Sequence, residues 1–288
     1  MRPQPHHLEA LVAVIELGTF EAAAASLHVT PSAVSQRIRA LESEVGQVLV
    51  RRGTPCTATP VAEPLLRLAR QTRLLQDEAA SALGAVTGTT LAVAVSADSL
   101  ATWFRDVLDT VATWNGVALR LHVEDQAWSA DLLRRGEALA VVTSDPTPVQ
   151  GCSVTRLGTL RYVAAARPSL VERHRRGGRI DWAALPMVDF NEKDSLQLAA
   201  LRRRGRSLPA VVHRVPTSAD FLEAVRRGLG WGMLPEPQLA EVREDVVPLS
   251  SLGRIDVHLH WQRWRLESVL LDRLTDAVRA AAASALRP

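Results

Sequence analysis

The residues of this chain whose types and spacing could do chemistry fall into two sets, and neither has the make-up of a catalytic centre. The first is Ser32, Ser35, Gln36 and Arg39, which share one face of a predicted helix and can all hydrogen-bond to phosphates or to base edges. The second is the carboxylates Asp98, Glu124, Asp125 and Asp220, with Ser96, Ser99, Thr143 and Ser218, at predicted strand ends and helix starts. Carboxylates facing a cleft hold a cation, and backbone N–H groups at helix starts near Ser99 or Ser218 hold an anion. Each acid also has a plainer role open to it: Asp98 and Asp220 as helix caps, Glu124 and Asp125 as a solvated turn.

Other signals carry less. No Gly-x-Ser-x-Gly elbow occurs, and nothing marks one carboxylate as acid and another as base, so an enzyme is not indicated. His258 and His260 share a strand face without a third ligand, which reads as a packed or surface pair and not a metal site. Gly228, Gly230 and Gly232 depart from dinucleotide-binding spacing and read as a tight turn before a strand. Trp182, Trp231, Trp261 and Trp264 read as core or interface residues, and Cys56 and Cys152 form no disulfide or metal motif. No cofactor is expected.

The elements that must position the first set are short helices. Leu8, Leu11, Val12 and Ile15 make an apolar stripe ending near Gly18. Thr19 caps a second helix with Phe20, Ala23, Ala24 and Leu27 inside. Thr30 caps a third with Pro31 at its first position, and Val34, Ile38, Leu41 and Val45 face the core. The polar face opposite suits the major groove. Val48 to Val50, then Arg51, Arg52 and Gly53, read as a short strand and basic wing against the phosphate backbone. Val61, Leu65, Leu68, Thr72, Leu75, Ala79 and Ala82 alternate by four and three, the seam of a helix pair, so a homodimer is expected, with a single amphipathic helix packed on its own domain as the alternative. Gly84 to Thr90 reads as a hinge.

From Leu91 onward, strand, polar turn and helix alternate, which predicts a parallel-rich α/β sheet with ligands at the carboxyl ends of its strands. One helix is expected to run through Trp103, Val107 and Val111. The chain divides into a winged helix-turn-helix at 1–60, a linker helix and hinge at 61–88, and a two-lobed α/β domain at 89–288. Lobe I comprises 89–159 and 257–288, and lobe II 160–256.

Bulk properties agree with a soluble, packed protein. Of its 288 residues 47% are hydrophobic and 23% charged, with a formal charge of +3. Lys193 is the only lysine. No signal peptide or membrane helix is legible, so a cytoplasmic location is expected.

The run Gly18-Thr19-Phe20-Glu21-Ala22-Ala23-Ala24, followed by Thr30 through Glu42, resembles the signature of LysR-type transcriptional regulators, and the late Gly-rich run 228–235 matches the same family. The resemblance covers the whole chain. It implies that Thr30, Pro31, Ser32, Ser35, Gln36 and Arg39 lie at the DNA groove and that Arg52 serves the wing. It also implies a two-lobed effector domain like that of periplasmic solute-binding proteins. Pro31 and Gln36 depart from the common glutamine and arginine, so the operator cannot be copied from relatives. Ser96 to Phe104, Leu132 to Gly136, Arg226 to Gly232 and Trp261 to Ser268 resemble the ArgP/LysG branch, with Ser96 replacing the usual asparagine. That branch implies an effector that is a basic amino acid, L-lysine, L-arginine or L-histidine, and a basic amino-acid exporter gene as target. Double-stranded DNA, a second copy in a dimer or tetramer, and RNA polymerase are the implied partners. A DNA-architectural protein whose effector domain mainly sets oligomer state is the alternative.

Overall fold

The structure, a computed structural model, describes residues 2–85, 88–123, 129–192 and 196–288. Its first unit contains α1 (Pro5–Leu17), α2 (Phe20–Ser26), α3 (Pro31–Val45), and a wing of β1 (Val50–Arg51) and β2 (Thr57–Ala58). Thr19 and Thr30 cap α2 and α3, their side-chain oxygens accepting from Ala22 N–H at 3.1 Å and Ala33 N–H at 3.2 Å. Leu11, Val34, Ile38, Leu41 and Leu49 close a core between these elements.

Helix α4 (Glu63–Ala82) leads out of this unit. Its expected seam divides. Leu65 is turned into the chain's own core at 6% exposure, whereas Leu68 and Leu75 stay 42% and 39% exposed. A further face of α4 is fastened to the second unit. Gly136 has φ +67°, and a Cβ there would lie 2.6 Å from Arg67 Cα. The Arg67 guanidinium stacks 5.0 Å from the Trp264 ring centroid. Arg70 donates to the Arg135 carbonyl at 3.0 Å and to Glu16 Oε1 at 3.0 Å.

The second unit runs β3 (Thr89–Val95), α5 (Ala97–Ala101), α6 (Arg105–Ala112), β4 (Val117–Val123), α7 (Ser129–Arg134), β5 (Ala140–Thr143) and β6 (Cys152–Ala166). There follow α8 (Pro168–Arg173), the hairpin β7 (Arg175–Arg176) and β8 (Arg179–Ile180), β9 (Met187–Asp189), α9 (Leu196–Arg202), β10 (Val212–Arg214) and α10 (Ser218–Arg227). The chain ends with β11 (Gly232–Pro235), α11 (Glu236–Glu241), β12 (Val247–Pro248), β13 (Arg254–Trp264) and α12 (Val269–Ala285). Glu78 of α4 accepts from Ser268 Oγ at 2.6 Å and Leu270 N–H at 2.9 Å, and so helps cap α12.

The single helix expected through Trp103 is two helices, α5 and α6. Thr102 breaks it with φ −119° and ψ −108°, its hydroxyl donating back to the Asp98 carbonyl at 2.6 Å. The two lobes share their principal sheet. One sheet, ordered β11-β6-β13-β5-β3-β4, spans both, because β6 and β13 pair from Arg254↔Val163 to Trp264↔Cys152. Leu259 faces Gly158 and His260 faces Arg156, so Leu157 is an inserted residue in this ladder. Parallel β9 and β10 add a small sheet in the second lobe.

Because Leu68 and Leu75 are exposed and Leu65 is not, Leu68→Asp with Leu75→Asp is expected to lower the mass seen by light scattering without unfolding the chain. Leu65→Ala instead is expected to destabilise the first unit by about 2–4 kcal/mol in denaturant melts. Unchanged mass in a folded double variant would place the dimer seam elsewhere.

Candidate functional site

The polar face of α3 is available to a partner. Pro31, Ser32, Gln36 and Arg39 are exposed and Ser35 is half-buried, while Val34, Ile38 and Leu41 point inward. Thr30 is exposed, its hydroxyl 2.9 Å from Ser32 Oγ. Arg52 follows β1 and stacks 5.2 Å from the Phe20 ring centroid. Glu42 joins the helix to the wing: its Oε1 accepts from Leu49 N–H at 2.8 Å and Val50 N–H at 3.3 Å. Helical spacing could not disclose that role, because the partners lie beyond the Gly46 turn.

A cleft of about 1310 Å³ opens in the second unit. Leu100, Leu121, Phe190, Phe221 and Met233 supply apolar wall, and Ser96, Asp98, Tyr162 and Ser218 supply polar groups. Asp98, on α5, is half-buried and joined to groups far along the chain. Tyr162 O–H donates to its Oδ2 at 2.9 Å and Ser218 Oγ to its Oδ1 at 2.7 Å. The buried Gln238 donates from Nε2 to Ser218 Oγ at 3.1 Å. Pro216 to Ala219 bring the first turn of α10 to the same cleft, so the positive end of that helix lies at its wall.

Three expected site residues are placed elsewhere. Ser99 is fully buried, its N–H donating to Ser96 Oγ at 3.2 Å and its hydroxyl accepting from Ser96 at 3.0 Å, so the cap consumes the group expected to meet a ligand. Thr143 is fully buried and accepts from Asp145 N–H at 3.1 Å; the neighbouring Ser144 lines the cleft instead. Asp220 is exposed and engaged by the helix cap Thr217, whose Oγ1 accepts from Asp220 N–H at 3.2 Å and donates to Asp220 Oδ2 at 2.5 Å. Glu124 and Asp125, with Val86 and Thr87 of the expected hinge, lie outside the described residues.

Sequence reasoning missed Tyr162 and Gln238. Tyr162 had a usable signal, since it is the only tyrosine of the chain and its hydroxyl sits in an apolar strand where it must find a partner. Gln238 had none.

His258 Nδ1 lies 3.0 Å from Thr159 Oγ1, and burial first, then the charge of His258, lowers the His260 pKa. Among the described residues no three His, Cys, Asp or Glu side chains gather as metal ligands. Gly230 and Gly232 are packing glycines: a Cβ would lie 2.8 Å from Met187 backbone in the first case and 2.7 Å from the Phe221 ring in the second. Burial pushes the Cys152 thiol up to about 12. Among the described residues no helix is long and apolar enough to cross a membrane.

A helix-turn-helix with a wing, joined by one long helix to a two-lobed domain with a polar-floored cleft, defines a DNA-binding regulator with a ligand-binding module. Residues 5–63 match the family described as bacterial regulatory helix-turn-helix protein, lysR family, and residues 84–283 match the LysR substrate binding domain. The chain belongs to the LysR family of transcriptional regulators and is not an enzyme. It is 46% identical over 292 residues to the lysine export transcriptional regulatory protein LysG of Corynebacterium glutamicum, with 99% of each chain covered. Solved structures similar to it include two named regulators. One is full-length LysG of that organism with bound effector Arg (46% identity, TM-score 0.82, 99% and 100% of the chains covered). The other is ArgP of Mycobacterium tuberculosis (46% identity, TM-score 0.88, 100% and 99% covered).

Base contacts specify and phosphate contacts position. Ser35→Ala with Gln36→Ala is therefore expected to abolish preference for the native operator while leaving weak, salt-sensitive binding to random DNA. Arg52→Ala should weaken both and lower the salt slope by about one. Equal loss on specific and random DNA in the first variant, or an unchanged slope in the second, would refute the respective assignment in gel-shift titrations.

Proposed function

We propose that this regulator controls transcription in response to a basic amino acid, lysine, arginine or histidine, bound between the lobes, and that its target is a basic amino-acid exporter gene. The observation that carries the reading is the Asp98 carboxylate on the cleft, held by donors from β6 and α10. A carboxylate takes a cationic group by a charge-assisted hydrogen bond, which a neutral side chain cannot match. The apolar wall of Leu100, Leu121 and Phe190 suits the effector's aliphatic stem. The similarity to a LysG bound to arginine, and to a regulator named for lysine export, supports the same class of ligand and target.

In this reading the protein works on double-stranded DNA in the cytoplasm as a homodimer or tetramer, with RNA polymerase as its further partner. The effector acts only through its unequal affinity for two arrangements of the chain. A footprint at one promoter that changes with a basic amino acid separates this role from a purely architectural one.

A charge-assisted hydrogen bond contributes about 1.5–3 kcal/mol, so Asp98→Asn is expected to weaken lysine or arginine binding by about ten- to a hundredfold. Leucine should bind the parent far more weakly than lysine. Calorimetric titration decides the matter. Unchanged affinity of Asp98→Asn for both cations would remove the site assignment, and leucine binding as tight as lysine would remove the effector class.

A further inference from the structure

Gln238 is on α11, 4% exposed, and is not among the residues lining the cleft. Its neighbourhood is apolar: Val188, Phe221, Leu234 and Val242 pack in the adjoining core of the second lobe. A buried amide is costly to desolvate, and an apolar side chain of its size would fill such a place without that cost. The amide is held instead in a directed chain. Gln238 Nε2 donates to Ser218 Oγ at 3.1 Å, and Ser218 Oγ donates to Asp98 Oδ1 at 2.7 Å.

A hydroxyl has one hydrogen and two lone pairs. With an N–H of Gln238 directed at its oxygen, Ser218 keeps that hydrogen for an acceptor, and Asp98 is the acceptor in place. Without that donor the hydroxyl is held by the carboxylate alone and can share its hydrogen with water or with the effector.

We propose that Gln238 is a positioning residue for effector recognition: by donating to Ser218 it fixes that hydroxyl toward Asp98, and so holds the carboxylate in the orientation that receives the effector's cation. The inference rests on the reading that a basic amino acid binds in this cleft. It gives Gln238 a part in affinity although the residue does not line the cleft, and makes that part conditional on Ser218.

The test is a double-mutant cycle with arginine as the probe, read by calorimetry on the full-length chain. Gln238→Met keeps the volume and removes the donor; it is expected to weaken arginine binding about fivefold, the equivalent of one hydrogen bond. Ser218→Ala should give a loss of similar size. In the Ser218→Ala background, Gln238→Met should then cost nothing more, because the group it directs is gone. A role in packing α11 alone would instead add fully to the loss from Ser218→Ala. Gln238→Leu, also of similar volume, takes the place of the methionine variant if that one does not fold. Unchanged arginine affinity in Gln238→Met, or additive losses in the double variant, would overturn the proposal. Asp98→Asn is titrated alongside. If that variant loses affinity and Gln238→Met does not, this inference alone fails; if neither loses affinity, the effector reading fails and takes the inference with it.

Discussion

Everything in the second unit depends on the pairing of β6 with β13. The chain must leave the first lobe and return to it, and it does both along one antiparallel ladder that uses all 11 residues of β13. Rungs of this kind satisfy backbone groups that cannot be left unpaired in a core, so the ladder resists being pulled apart. The inserted Leu157 bends β6 and increases its local twist. Next to it, Gly158 has φ +146°, and a Cβ there would lie 2.7 Å from the Arg287 carbonyl. Thr159 and Arg287 exchange two backbone hydrogen bonds at 2.7 and 3.1 Å, so the C-terminal tail is pinned beside the crossover.

The two working surfaces solve opposite problems. The DNA-facing side of α3 leaves its polar groups to solvent and needs only a rigid frame, which the Thr30 cap and the Glu42 bonds to the wing provide. In the cleft the polar groups are partly withdrawn from water, where a carboxylate is tolerated only if donors compensate its lost hydration. Asp98 has such donors in Tyr162 and Ser218, and both belong to elements distant in sequence. Its charge therefore holds the cleft together as well as lending it chemistry.

How much of this could be read from the sequence follows from the range of the interactions. Thr19 and Thr30 cap the helices that their spacing predicts, because a cap acts over three residues. The inward face of α3 was legible for the same reason. Spacing failed where two faces of one element compete. The four-and-three alternation of α4 could not tell Leu65, which serves the chain's own core, from Leu68 and Leu75, which remain exposed. Likewise Ser99, Thr143 and Asp220 stand at element ends, as read, but each is engaged by a partner within three residues along the chain. Tyr162 and Ser218 reach Asp98 across 64 and 120 residues, a proximity that only the crossover topology creates.

The attachment of α4 gives the molecule a stiff coupling between its two units. Twenty residues of helix make a rod about 30 Å long, fastened to the second unit through Arg67, Arg70 and Glu78 and continuous with the core of the first through Leu65 and Leu66. The α7 fastening at Arg67 and Arg70 lies within two turns of Leu65 and Leu66, and Arg70 bonds Glu16 of the first unit as well, while Glu78 holds the other end of the helix. A rod clamped near both ends passes a displacement on at its own size and does not bend between the two units.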